Sequence, residues 1–208
     1  MPAHAGSPVN LCPLPIDPPA RGRTKNMAET DRQRPGSDDD DRAERSLLAR
    51  TADGDETAFR LLYDRLAERV FRYAFTLLHN RHLAEEVAQE TMVIVWKQAG
   101  AFQGRSRVST WVFGIARFRA LDLLRKEKRG ERVPETPLVE PDPAPAVQDR
   151  ERTLRAVKKL PEEQREVVFL TFYEGLSYAE ISGMLGIPEG TVKSRMYYAR
   201  RTLAEALA

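Results

Sequence analysis

Apolar residues recur at steps of three and four through Phe59, Leu62, Leu66, Val70, Tyr73 and Leu77, and this spacing constrains the fold more than any other feature of the chain. Only a helix of 3.6 residues per turn gathers such positions on one face, because a strand would send alternate residues to opposite sides of a sheet. The spacing returns in Leu83, Val87, Ile94 and Val95, and again in Val112, Ile115, Ala116, Ala120, Leu123 and Leu124. These stripes predict four helices. A short one covers about Arg42 to Thr51, and a long one is capped by Asp53 or Asp55. A third runs from about His82 to Gln98, and a fourth is capped by Ser109.

The last quarter of the chain is marked out by punctuation rather than by long stripes. Pro161 sits where the first position of a helix is expected, and that helix continues to Tyr173 with Gly175 as its C-terminal cap. Ser177 and Glu180 have the spacing of a capping box for the next helix, and Gly186 can end it. A further helix starts near Glu189 and continues to about Glu205. A small core of Ala179, Ile181, Leu185, Ile187 and Val192 is expected between Tyr178 and Tyr198. Helix, tight turn and basic helix is the layout of a helix-turn-helix. The fold class is therefore all-α, with two small helical domains over 42–130 and 151–208.

What joins and precedes them reads differently. Residues 1–41 are rich in Pro, Gly, Ser and charge, end in Asp38 to Asp41, and are expected to be disordered. Residues 131–150 hold Pro134, Pro137, Pro141, Pro143 and Pro145 and read as a flexible, acidic, Pro-rich linker. Prolines 13, 15, 18 and 19 interrupt the apolar stretch near the start, which argues against a secretory signal and for the cytoplasm. Met27 is an alternative translational start. Cys12 is the only cysteine, so no intrachain disulfide and no cysteine-based zinc site is expected.

The net charge of +2 hides an uneven distribution: residues 46–130 carry +5, whereas 131–152 carry −3. From Arg105 to Arg129 there are eight basic residues against two acidic ones. Such a patch attracts phosphates, and it is equally what a solvated helix face looks like. Phe102, Trp111, Phe113 and Phe118 interleave with those arginines, a pattern that suits stacking of unpaired bases as well as ordinary core packing. In the last helix, Lys193, Ser194 and Tyr197 share a face near its start and can reach base edges, while Arg200 and Arg201 are placed for phosphates. Glu85, Glu86, Gln89 and Glu90 make an acidic and polar strip one turn long, either a solvated face or a docking surface for a basic partner. His79 and His82 lie near Glu85 and Glu86, but no further ligand cluster supports a metal. A conventional helix-turn-helix regulator would explain only the second domain, and an enzyme would need a metal or catalytic cluster that the residues do not supply.

Three stretches together resemble the sigma-70 family, in its group-four, extracytoplasmic-function branch. They are Glu85-Glu86-Val87-Ala88-Gln89-Glu90-Thr91 through Val95-Trp96; Ser109-Thr110-Trp111-Val112-Phe113-Gly114-Ile115-Ala116-Arg117 through Arg125; and Leu160-Pro161 through Ile181 with Gly190-Thr191-Val192-Lys193-Ser194-Arg195. The resemblance implies that the first domain is sigma region two and the second region four. It implies that Glu86, Gln89 and Glu90 bind the beta-prime clamp helices of core RNA polymerase, with Trp96 packing. The loop from Phe102 to Val108 and the fourth helix would recognise and help melt the minus-ten element, through Phe102, Arg105, Arg107, Ser109, Trp111, Arg117, Phe118, Arg119 and Arg125. Region four would read the minus-thirty-five element through Thr191, Lys193, Ser194, Arg195, Tyr197, Tyr198, Arg200 and Arg201, and would touch the beta flap. Phe118 stands where family members often carry an Asn that helps hold a flipped base, which bears on the details of that pocket. The resemblance further implies a non-enzymatic initiation factor without cofactor or metal, acting in a stress response under an anti-sigma protein.

Overall fold

A computed structural model describes residues 38–130 and 155–207. The extension up to residue 37, the Pro-rich linker and Cys12 lie outside the described residues. Within them every regular element is helical: α1 (Asp38–Ala52), α2 (Glu56–Leu78), α3 (Arg81–Gln98), a 3-10 turn (Ala99–Ala101), α4 (Val108–Lys128), α5 (Glu162–Phe172), α6 (Tyr178–Leu185) and α7 (Glu189–Leu207).

The first four helices pack around the predicted stripes. Leu62, Leu66, Val70 and Tyr73 of α2 are fully buried, as are Val87 and Val95 of α3 and Val112, Phe113, Ala116 and Ala120 of α4. Phe59 and Leu77 lie half-buried at the edge of that core, and Trp96 packs edge-on against Phe59 at 5.0 Å. Asp55 caps α2 by accepting from Ala58 N–H at 2.9 Å. Asn80 does the same for α3 at 3.2 Å.

Three boundaries differ from expectation. Helix α1 begins at Asp38, not Arg42, so the acidic run belongs to the folded unit, and Asp41 is 9% exposed. Four carboxylates in a first turn favour that start, because they face the positive end of the helix dipole. Helix α4 begins at Val108 with Arg107 flanking it, so Ser109 falls inside the first turn and is not its cap. Pro161 precedes α5 rather than opening it: its ψ of 146° is extended while its carbonyl already accepts from Arg165 N–H at 2.9 Å.

The second unit follows its punctuation. Ser177 and Glu180 form the reciprocal capping box, and Gly186 closes α6 in the left-handed region at φ +68°. Ile181, Leu185 and Val192 are buried, Ile187 is half-buried, and Ala179, expected in the core, is exposed. The two units pack together, α2 against α5 and α4 against α6. At their junction Tyr73 lies between Phe113, at 5.5 Å, and Phe169, at 5.8 Å.

Candidate nucleic-acid interface

Helix α7 buries Val192, Met196 and Ala199 at helical spacing, which turns the opposite face to solvent. Lys193, Ser194, Tyr197, Tyr198, Arg200 and Arg201 are all exposed on that face, with Tyr197 63% open to solvent. Lys193 pairs with Glu189 at 2.8 Å and Arg201 with Glu205 at 3.5 Å. Both are one-turn surface pairs, of the kind that costs little to exchange for phosphate. Arg200 lies over the exposed ring of Phe172 and Arg201 over Tyr198. Thr191 and Arg195 are less accessible: Thr191 is half-buried, and Arg195 reaches back to Glu163 of α5 at 2.6 Å. The Thr191 carbonyl accepts from Ser194 Oγ at 3.0 Å.

The aromatic, polar and cationic residues around the expected minus-ten surface divide into four groups. Arg105 and Arg125 are exposed and reach solvent. Phe102 and Trp111 pack on each other at 5.4 Å, both half-buried, at the loop that opens α4, and Phe118 is half-buried on α4. Ser109 is 2% exposed and Phe113 fully buried, so both serve the core. The remaining cations are engaged within the protein. Arg117 donates to Glu166 of α5 at 3.0 Å, and Tyr73 Oη donates to the same carboxylate oxygen at 2.7 Å. Burial, with Glu166 beside it, pushes the Tyr73 hydroxyl well above its ordinary range, so it remains a proton donor. Arg107 pairs with Glu180 at 3.3 Å, and Arg119 with Glu90 on α3 at 2.8 Å. Each of these guanidiniums already faces a carboxylate on another helix, so an incoming phosphate would compete with that carboxylate.

A third cross-unit ion pair was not foreseen in the sequence. Arg69 of α2 donates to Glu174 at 2.7 Å and to Glu44 of α1 at 3.0 Å. Burial raises the pKa of both carboxyls, because they share one guanidinium whose attraction only partly offsets their desolvation. Burial also works against the Arg69 charge, but two carboxylates together outweigh it and its pKa is raised. No periodicity rule links positions 44, 69 and 174.

Of the acidic strip, Glu85 and Gln89 line a shallow groove between α2 and α3, together with Tyr63, Ala67, Phe71, Arg81 and Ala88 among others. Gln89 is exposed and Glu86 half-buried, while Glu90 faces Arg119. His79 meets Arg165 rather than an acidic cluster. Among the described residues no group of three or more His, Cys, Asp or Glu side chains is placed to hold a metal, and no helix is long and apolar enough to cross a membrane.

Comparison with known proteins matches both units. The family described as sigma-70 region 2 covers residues 62–130, and that described as sigma-70 region 4 covers residues 150–203. An ECF RNA polymerase sigma factor RpoE of Cereibacter sphaeroides is 36% identical over 162 residues, 74% of this chain and 88% of that protein. The ECF sigma factor SigK of Mycobacterium tuberculosis is 33% identical over 172 residues, 78% of this chain and 92% of that protein. Among solved structures, the sigma factor RpoE of Bartonella quintana in complex with the anti-sigma factor NepR has a TM-score of 0.57 at 26% identity, covering 68% of this chain and 91% of that one. CnrH in complex with the cytosolic domain of CnrY gives 0.58 at 26% identity, covering 79% and 97%. The first unit, which a simple helix-turn-helix regulator would leave unexplained, is accounted for by region 2. This chain belongs to the sigma-70 family and is an ECF-type RNA polymerase sigma factor, a transcription initiation factor.

Proposed function

We propose that α7 reads the minus-thirty-five element with Lys193, Ser194 and Tyr197 while Arg200 and Arg201 hold phosphates, and that the loop from Phe102 to Val108 with α4 captures unpaired bases of the minus-ten element. The observation that carries the reading is the division of α7, with Val192, Met196 and Ala199 inward and an unbroken polar, cationic and aromatic face outward. Arg105, Arg125 and the Phe102–Trp111 pair supply the cation-plus-ring chemistry that single strands need. Glu86, Gln89 and Glu90 on α3 form the docking strip for the clamp helices of core polymerase, with Gln89 at the groove between α2 and α3, and region 4 touches the beta flap. The factor performs no covalent chemistry and works in the cytoplasm. It lowers the cost of promoter opening by holding duplex upstream and unpaired strand downstream. An anti-sigma protein holds it inactive in the absence of a stress signal, a reading supported by the anti-sigma complex of the Bartonella relative.

The test is run-off transcription with the purified chain and core RNA polymerase. Lys193→Ala is expected to weaken promoter recognition with core binding retained; loss of core binding instead counts against the assignment. Charge reversal at Glu86 is expected to weaken core association, and unchanged affinity would remove that docking surface. Promoter binding should fall steeply with added salt, since phosphate contacts supply much of the affinity.

A further inference from the structure

The loop that precedes α4 is held from outside its own neighbourhood. Arg107 flanks α4 at its start and provides no side-chain cap. The Val108 N–H, which would otherwise be an orphan donor in a buried place, donates to Asp41 Oδ1 of α1 at 3.0 Å. The other oxygen of Asp41 accepts from Arg45 Nε at 2.8 Å, which aims the guanidinium at the loop. Arg45 then donates through Nη1 to the Gly104 carbonyl at 3.3 Å and through Nη2 to the Ser106 carbonyl, and its guanidinium lies over the Phe102 ring at 5.3 Å. Gly104 is at φ +72°, a conformation that strains L side chains, and a Cβ there would come within 3.1 Å of Arg45 Nη1, so glycine suits both the backbone and the close guanidinium. Gln103, Gly104 and Arg105 remain exposed between these anchors, while Ser106 and Val108 are buried.

We propose that Asp41 and Arg45 are positioning residues for base selection, shaping the loop at 102–107 from a helix that lies before the segment matched by the region 2 family, which starts at residue 62. The inference rests on the proposed minus-ten role of this loop. A short loop discriminates between bases only if its backbone and rings are held before the base arrives. Otherwise the ordering cost is paid on binding and several geometries compete. One guanidinium that bonds two carbonyls and covers a ring fixes three points of the loop at once. Its partner Asp41 fixes a fourth by capping α4, so loop and helix are set in register by one ion pair. A lysine could reach one carbonyl but lacks the planar fork that serves both.

The experiment uses the full-length chain bound to core RNA polymerase and a pool of duplex fragments carrying a short unpaired segment of random sequence. Bound fragments are recovered and sequenced for the wild type, R45Q, R45K and D41N. The wild type is expected to enrich particular bases within the segment. R45Q is expected to reduce that discrimination by roughly tenfold with core affinity retained, and R45K to fall between. An Arg45 that only stabilises the fold would lower recovery of every sequence alike and keep the ranking of bases, and that result overturns the proposal. Hydrogen exchange on the same proteins should quicken at 103–108 and leave α2 and α3 protected. Should R45Q unfold the unit, D41N carries the same expectations, because its amide oxygen still caps Val108 while the charge that aims Arg45 is gone. If the wild-type complex enriches no base at all, the minus-ten assignment of the loop fails and the proposal with it. Enrichment in the wild type that is unchanged in both Arg45 variants and in D41N defeats the proposal alone.

Discussion

In region 2 the start of α4 is closed by a carboxylate 67 residues upstream, whereas in region 4 the start of α6 is closed by a serine three residues away. The contrast extends to the cores. Region 2 buries long apolar stripes from three helices, with Leu48 of α1 packed against them, while the eight-residue α6 buries only Ile181 and Leu185 and depends on its capping box and on Gly186 to define its ends. A large core can tolerate a helix end whose partner is distant, since the packing holds both in place. A small one needs its ends specified locally, because few contacts would correct an error. Region 4 also leans on region 2 through Glu166, Phe169 and Glu174, which makes the compact arrangement a shared one.

The largest effect is expected from Leu66→Ala, where a fully buried side chain is removed from region 2. Chemical denaturation should show a loss of about 3 kcal/mol, and a loss near zero would mean that the core of region 2 is looser than its burial implies. Next comes Glu166→Ala, which strips the acceptor shared by Tyr73 and Arg117. A cost of about 2 kcal/mol is expected, with faster hydrogen exchange in both α4 and α5. Exchange confined to α5 would break the claim that region 4 leans on region 2. Ser177→Ala should cost about 1 kcal/mol and act on α6 alone. Spread of its effect into α2 would show that the local cap is coupled to the larger core.

The smallest effect concerns pH. Burial raises the Glu174 carboxyl above its ordinary value of 4.5, so the folded state binds that proton more tightly than the unfolded chain. The resulting stabilisation is fully present below 4.5 and is lost as pH rises through the raised value. Glu174→Gln should flatten the stability profile in that window, as read by thermal unfolding of variant and wild type side by side. An unchanged profile would mean that Arg69 balances the burial of Glu174.

Much of this molecule is legible in its residues taken a turn or two at a time. The stripe from Leu62 to Tyr73, the capping box at Ser177 and Glu180, the turn at Gly186 and the outward face of α7 all follow from 3.6-residue periodicity and the valence of orphan N–H groups. These are local rules, and each can be read from a window of a few residues. The same window misplaced the α4 cap at Ser109, because the acceptor that closes it belongs to α1, and it placed Asp41 in a disordered tail for the same reason. It also named Arg107, Arg117 and Arg119 among the minus-ten contacts without any sign that tertiary contact gives each of them a carboxylate on another helix. Sequence alone therefore determined the helices, the division into two units and the face that α7 presents. Only the tertiary structure decided which charges meet, because ion pairs and trans caps join positions that no period connects.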